Sequence, residues 1–222
     1  MVRMALVIAI DGPSGSGKST AAKGVARRLG LRYLDTGAMY RGVAVACLDG
    51  RVEHDDAEAV ADVCRRLDIA ITTDPDDLRL HVAGADVTAR IREPDVTAWV
   101  SAVSTNAACR ADLVRRQRAI IGAGDIVVEG RDITTVVAPD ADVRVLLVAD
   151  PVARMSRRGK EMAGRLDEAG LRDQVLRRDK DDSRLVNFTE AAPGVTLIDS
   201  SFLTIDETVD RIVALVPADS PE

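Results

Sequence analysis

Aromatic residues make up only 2% of this 222-residue chain, as one Trp, two Tyr and two Phe. A protein that grips runs of nucleobases by stacking needs more of them. Cysteine is scarce too: Cys47, Cys64 and Cys109 are widely spaced and match no metal-ligand pattern. They read as small buried side chains in a reducing compartment, which excludes a disulfide framework. No apolar run approaches the roughly 20 residues that a membrane span requires. The run at 6–10 stops at Asp11 and Gly12, so no secretory signal is read there. Positive charge is not in excess either. A net charge of −6 argues against a chain that coats nucleic acid or an anionic membrane. The expectation is a cytoplasmic protein with neither nucleic acid nor membrane as partner.

What is present is an ordinary globular composition, 46% hydrophobic and 30% charged. The arginines cluster, as Arg115-Arg116-Gln117-Arg118, Arg154 with Arg157-Arg158, and Arg177-Arg178. Guanidinium gathered in an acidic chain could hold a small polyanion. For any one patch alone, a solvated helix face is the simpler reading.

Apolar segments set the framework. LVIAI (6–10) is short, rich in β-branched residues and bounded by Asp-Gly, as a buried strand is. KSTAAKGVARRLG (18–30) predicts a helix closed by Gly30, RYLDT (32–36) a strand, and AMYRGVAVACLDG a helix ending at Gly50. IVVEG (126–130) and VRVLLVAD (143–150) are further strands, followed from Pro151 by a long Arg-rich helical stretch. VTLIDSS (195–201) and a helix over 204–216 complete the series. This alternation predicts an α/β fold with a mainly parallel sheet covered on both faces. One stretch, 69–91, alternates apolar and polar residues around two turn signals. It predicts a small antiparallel sheet inserted between two helical regions.

The strongest chemical signal follows the first strand. Gly12, Pro13, Ser14, Gly15, Ser16, Gly17, Lys18 and Ser19 match G-x-x-x-x-G-K-[ST], with Thr20 next in the helix. Glycines let successive backbone N–H groups turn inward around phosphate oxygens, and the helix start adds its positive dipole end. Lys18 is expected to reach the β- and γ-phosphates of ATP, and the Ser19 hydroxyl to ligate Mg²⁺. The loop identifies a nucleotide-binding protein but not what it phosphorylates. No guanine-reading N-K-x-D segment occurs, which counts against a GTPase switch. The candidate acidic strand is IVVEGRD, where Glu129 and Asp132 flank Gly130-Arg131. A small kinase needs arginines from several parts of the chain around a second phosphate, and a lid that excludes water. The chain supplies both.

At IDGPSGSGKST (10–20), LDTGAMYR (34–41), GADVTARIR (84–92), VVEGRDITTVVAPDADV (127–143), RRDKDDS (177–183) and LIDSS (197–201), the chain resembles the bacterial cytidylate kinases. The likeness runs over nearly the whole length. It implies a P-loop NTPase-type α/β fold with a five-stranded parallel sheet flanked by helices, a small inserted antiparallel β subdomain and a helical lid. The implied layout is a single kinase unit over 1–222. Its core is 1–62 and 93–216, its acceptor-binding insert approximately 63–92, and its lid approximately 154–170.

The resemblance also implies transfer from Mg·ATP to CMP and dCMP by a monomer. Lys18, Arg131 and Arg158 would be catalytic. Thr36, Tyr40, Arg41, Ser101, Arg110, Arg131, Asp132, Arg178 and Asp182 would hold CMP. The chemistry is coherent. A carboxylate at Asp132 accepts from the exocyclic amine of cytosine and repels the carbonyl that uracil has there, while Arg110 donates to the ring's acceptor edge. Arg178 would hold phosphate and Asp182 the ribose hydroxyls. Where many relatives have a further arginine, this chain has Leu185, with Arg184 just before it. Another small P-loop kinase, acting on AMP, UMP or a non-nucleotide acceptor, stays open on the residues alone. So does a nucleotide-dependent switch.

Overall fold

The structure, a computed structural model, describes residues 5–161 and 190–217, the side chains of Arg158, Lys160 and Glu161 excepted. The chain divides into two compact units, Met1–Tyr33 with Gly124–Glu222, and Leu34–Ala123. The first unit carries a parallel sheet. Its strands are β1 (Val7–Asp11), β2 (Arg32–Asp35), β6 (Ile126–Gly130), β7 (Val143–Val148) and β8 (Thr196–Asp199), in the order β2-β6-β1-β7-β8. The chain crosses into the second unit within β2.

β1 lies between β6 and β7 and pairs with both in parallel. Ile8, Ala9 and Ile10 are fully buried. An unbroken apolar strand is what a parallel sheet covered on both faces demands. With neighbours on either side that come much later in the chain, the end of β1 is a topological switch point, where open α/β sheets bind ligands.

α1 (Lys18–Leu29) follows β1 and packs against α7 (Ile205–Val213). Gly24 makes that approach possible, since a Cβ there would stand 2.6 Å from Val209 Cγ2. Gly30 ends α1 in the left-handed conformation, as expected from its position. Thr204 and Glu207 form a reciprocal capping box at the start of α7. α6 (Pro151–Glu161) opens under Asp150, whose Oδ1 accepts from Ala153 N at 2.9 Å.

The second unit is helical around a small sheet. α2 (Thr36–Asp49) is its centre, capped by Asp35, which accepts from Ala38 N at 2.9 Å. The helix therefore starts at Thr36, not after it. β-branched Thr36 had read as the last strand residue, and the Asp35 cap overrides that preference. α2 packs on α3 (Ala57–Arg66), α4 (Pro94–Ser104) and α5 (Ala107–Ile121). It also covers the antiparallel sheet β3 (Ile69–Ile71), β4 (Leu80–Val82) and β5 (Ala85–Asp86). Leu80 and Val82 turn inward toward Gly42 of α2, where a Cβ would meet them at 3.0 and 3.1 Å.

Two sequence features resolve into packing here. The thiols of Cys47, Cys64 and Cys109 are free and buried in α2, α3 and α5. Cys109 Sγ donates to Val60 O at 3.5 Å. Within the cluster Arg115-Arg116-Gln117-Arg118, Arg116 braces the end of α3 by donating to Leu67 O at 2.7 Å and Cys64 O at 3.2 Å. It also pairs with Asp112 at 2.6 Å. Arg116 thus ties α5 to α3 within its own unit.

Candidate active site

The phosphate loop joins β1 to α1. Gly15 and Gly17 take φ of 77° and 86°, the left-handed region that favours glycine. At Gly12 the constraint is space, because a Cβ would lie 2.2 Å from Leu147 O on β7 and 2.8 Å from Ser16 Oγ. Ser16 is fully buried, and its hydroxyl has no hydrogen-bond partner among the described residues. A buried hydroxyl of this kind fits an anion that brings its own oxygens.

Four cationic side chains surround the loop, and each donates to one of its carbonyls. Arg131 Nη1 reaches Gly12 O at 2.8 Å, and Lys18 Nζ reaches Pro13 O at 3.5 Å. Arg154 Nη1 reaches Ser14 O at 3.3 Å, and Arg157 Nη1 reaches Ser16 O at 3.3 Å. Four loop carbonyls are thus bound by cations, and within the loop Ser16 N donates to Pro13 O at 3.4 Å. Arg157 also donates through Nη2 to Ser200 O at 2.6 Å, so the turn after β8 is tied to the loop.

One carboxylate faces these charges from the strand next door. Glu129, one residue before the end of β6, lies in register with Ile10 of β1 and is 3% exposed. Its Oε1 accepts from Ser19 Oγ at 2.6 Å and from Tyr33 Oη at 3.1 Å, and its Oε2 lies 3.9 Å from Lys18 Nζ. Asp11, buried at the end of β1, accepts from Ile133 N at 2.8 Å, Thr134 N at 2.8 Å and Thr134 Oγ1 at 2.6 Å. Burial pushes the Asp11 carboxyl above its ordinary value, although those donors pull the other way.

The residues assigned to CMP by resemblance are divided between the two units. Arg131 and the buried Asp132 follow β6 in the first. In the second, Thr36, Tyr40 and Arg41 occupy the first turns of α2, Ser101 lies on α4 and Arg110 on α5. Arg41 is buried and donates to Thr97 Oγ1 at 3.2 Å and to Ile91 O at 3.5 Å. Asp35 accepts from Arg92 Nη2 at 3.3 Å. Arg110 is half-buried, its Nη1 3.5 Å from Ser104 O. Arg178, Asp182, Arg184 and Leu185 lie outside the described residues, and so does the side chain of Arg158.

Sequence reasoning singled out neither Asp11 nor Ser200, and met Glu129 only as a candidate acidic residue in IVVEGRD. A signal for Glu129 was present, as the one acid in the otherwise apolar run IVVEG. Nothing local announced that Asp11 serves the main chain beyond Asp132.

A glycine-turned loop at the end of β1, a lysine and hydroxyl opening α1, an acid near the end of the adjacent strand and a set of arginines at the loop define a P-loop phosphotransferase. The family model for cytidylate kinase matches residues 8–218. The cytidylate kinase of Cutibacterium acnes is 50% identical over 219 residues, covering 96% of each chain. That of Mycolicibacterium paratuberculosis is 46% identical over 217 residues, covering 95% of each. The chain belongs to the cytidylate kinase family, and is thereby a nucleoside monophosphate kinase. Among solved structures, an uncharacterized protein of Eubacterium ventriosum superimposes with a TM-score of 0.50 at 14% identity, over 96% of this chain and 99% of that one. That likeness speaks to the fold alone.

Proposed function

We propose that the chain transfers the γ-phosphoryl group of Mg·ATP to the 5′-phosphate of CMP and dCMP, giving ADP with CDP or dCDP. The observation that carries this reading is Arg131, held on the carbonyl of Gly12 at the phosphate loop. A guanidinium there can meet charge on a transferring phosphoryl group. The acceptor phosphate is already anionic, so the reaction needs no general base, and positioning and charge neutralisation do the work.

In this reading Gly12, Pro13, Ser14, Gly15, Ser16, Gly17, Lys18, Ser19 and Thr20 hold the ATP phosphates. Arg41 pairs with the acceptor phosphate beside Thr36 and Tyr40. Ser101, Arg110 and Asp132 read cytosine, while Arg178 and Asp182 hold phosphate and ribose. The insert at approximately 63–92 serves as an acceptor-side flap, and the stretch at approximately 154–170, including Arg158, as the lid. The protein works as a cytoplasmic monomer.

Oxygen donors at the loop suit a hard divalent cation. Ser19 Oγ and Glu129 Oε1 are 2.6 Å apart. Mg²⁺ takes most of its ligands from phosphate and water, so it asks for few protein oxygens. The Ser19 hydroxyl would hold it, with Glu129 behind. When bound, it supplies neutralising charge to the phosphate oxygens.

Phosphorus NMR of the chain with ATP, Mg²⁺ and CMP tests the reading. CDP resonances growing in step with ADP support it. Growth of inorganic phosphate with CMP unconsumed would mark a nucleotide-hydrolysing switch instead.

A further inference from the structure

Asp11 is costly to keep. Its carboxylate is 2% exposed, and an ionised group out of water is destabilising unless its oxygens are satisfied. Oδ1 accepts from Ile133 N, and Oδ2 from both the N–H and the hydroxyl of Thr134. Three of about four acceptor positions on a carboxylate are thus filled, all from two consecutive residues.

Those residues begin an unusual piece of backbone. Ile133–Val137 form a π-helical turn, a rare conformation that recurs at functional sites. The residue before the turn, Asp132, has φ −133° and ψ 28°, and its carbonyl accepts from Val136 N at 2.9 Å and Val137 N at 3.1 Å. On the other side, Arg131 Nη1 is held by Gly12 O. Arg131 and Asp132 therefore stand between two anchors, and both anchors come from neighbouring residues of one strand end, Asp11 and Gly12.

We infer that Asp11 is a positioning residue for the acceptor side of the reaction, fixing Arg131 and Asp132 by gripping the main chain just beyond them. The inference rests on the proposed roles of Arg131 and Asp132 and extends them to a residue that touches neither nucleotide. An amide at position 11 presents one acceptor where the carboxylate presents two, and it turns an N–H toward donors. The turn then loses a strap, and the Asp132 carboxylate drifts from the geometry that distinguishes an amine from a carbonyl on the base. Binding of ATP depends on the loop's own N–H groups and Lys18, which this change leaves alone.

The test compares Asp11→Asn, Thr134→Val and Asp132→Asn by steady-state kinetics with CMP and UMP. Asp11→Asn is expected to lower kcat/KM for CMP roughly tenfold and to narrow the CMP-over-UMP ratio, with KM for ATP within about twofold of the parent. Thr134→Val, which removes one of the three bonds, should shift the ratio in the same direction but less. A lowered melting temperature with an unchanged base ratio would mean a merely structural role and overturn the inference. Should Asp11→Asn fail to fold, an unchanged ratio in Thr134→Val overturns it equally. If Asp132→Asn itself leaves the ratio unmoved, the base-reading role of Asp132 is wrong, and the inference falls with it. A ratio moved by Asp132→Asn alone removes the inference and keeps the reading.

Discussion

Arg131 and Asp132 are adjacent in sequence but meet different demands. The guanidinium of Arg131 already sits on the Gly12 carbonyl at 2.8 Å, and on the proposed reaction it neutralises charge that grows as the phosphoryl group moves. Such a contact is stronger in the transition state than in the ground state, so its loss falls on kcat. Arg131→Ala should therefore lower kcat by about 10³-fold while KM for ATP changes by less than about threefold, in single-substrate titrations of each nucleotide. An unaltered kcat would remove Arg131 from the catalytic set. On the proposed reading, Asp132 acts on choice, not rate. A site built on polar pairing rejects the wrong partner by leaving buried groups unsatisfied. Asp132→Asn should reduce the preference for CMP over UMP by at least about tenfold, because an amide can donate to the uracil carbonyl as well as accept. An unchanged ratio would discard Asp132 as a base reader.

At the scale of elements, legibility followed how local each cause is. The phosphate loop was readable in full because its glycines, lysine and hydroxyl act within eight consecutive residues. The inserted sheet was readable too, since alternation at 69–91 becomes β3, β4 and β5 with Leu80 and Val82 turned inward. What escaped depends on register between distant strands. Glu129 reaches Ser19 only because β6 pairs with β1 so that Glu129 lies opposite Ile10. The π-helical turn is hydrogen-bonded at its start to Asp11, more than a hundred residues earlier. The cysteines show the same limit: their burial was read correctly, their convergence in α2, α3 and α5 was not. Burial, with the neighbouring Cys64, pushes the Cys47 thiol up to about 11 from an ordinary 9.0. The folded state thus keeps a proton that the unfolded chain gives up. Its contribution to stability is complete below the ordinary thiol value and is lost as pH rises toward 11. Urea unfolding of the parent and of Cys47→Ala across pH 8 to 11 checks this. The parent should lose stability relative to the variant through that window, and parallel curves would contradict the buried thiol's role.

Across the whole molecule, the parallel sheet accounts for where the chemistry gathers. The order β2-β6-β1-β7-β8 puts the end of β1 at the switch point, and the phosphate loop, Glu129 and Arg131 all issue from the ends of β1 and β6. Arg154, Arg157 and Ser200 arrive from the far side of the chain order and bind the same loop. The second unit carries Thr36, Tyr40, Arg41, Ser101 and Arg110 on α2, α4 and α5, residues assigned to the acceptor only through the likeness to a family. Composition and spacing alone led to a P-loop kinase and stopped there, because the residues proposed to read the base are a few polar side chains that no local pattern marks. The central claim is accordingly one about the acceptor. Coupled ADP release with Mg·ATP and, in parallel, CMP, dCMP, UMP, AMP and GMP measures it directly. The account predicts strong release with CMP and dCMP and much weaker release with the other three. Faster turnover of UMP or AMP would contradict the assignment of Arg110 and Asp132, and release that no acceptor accelerates would contradict phosphoryl transfer itself.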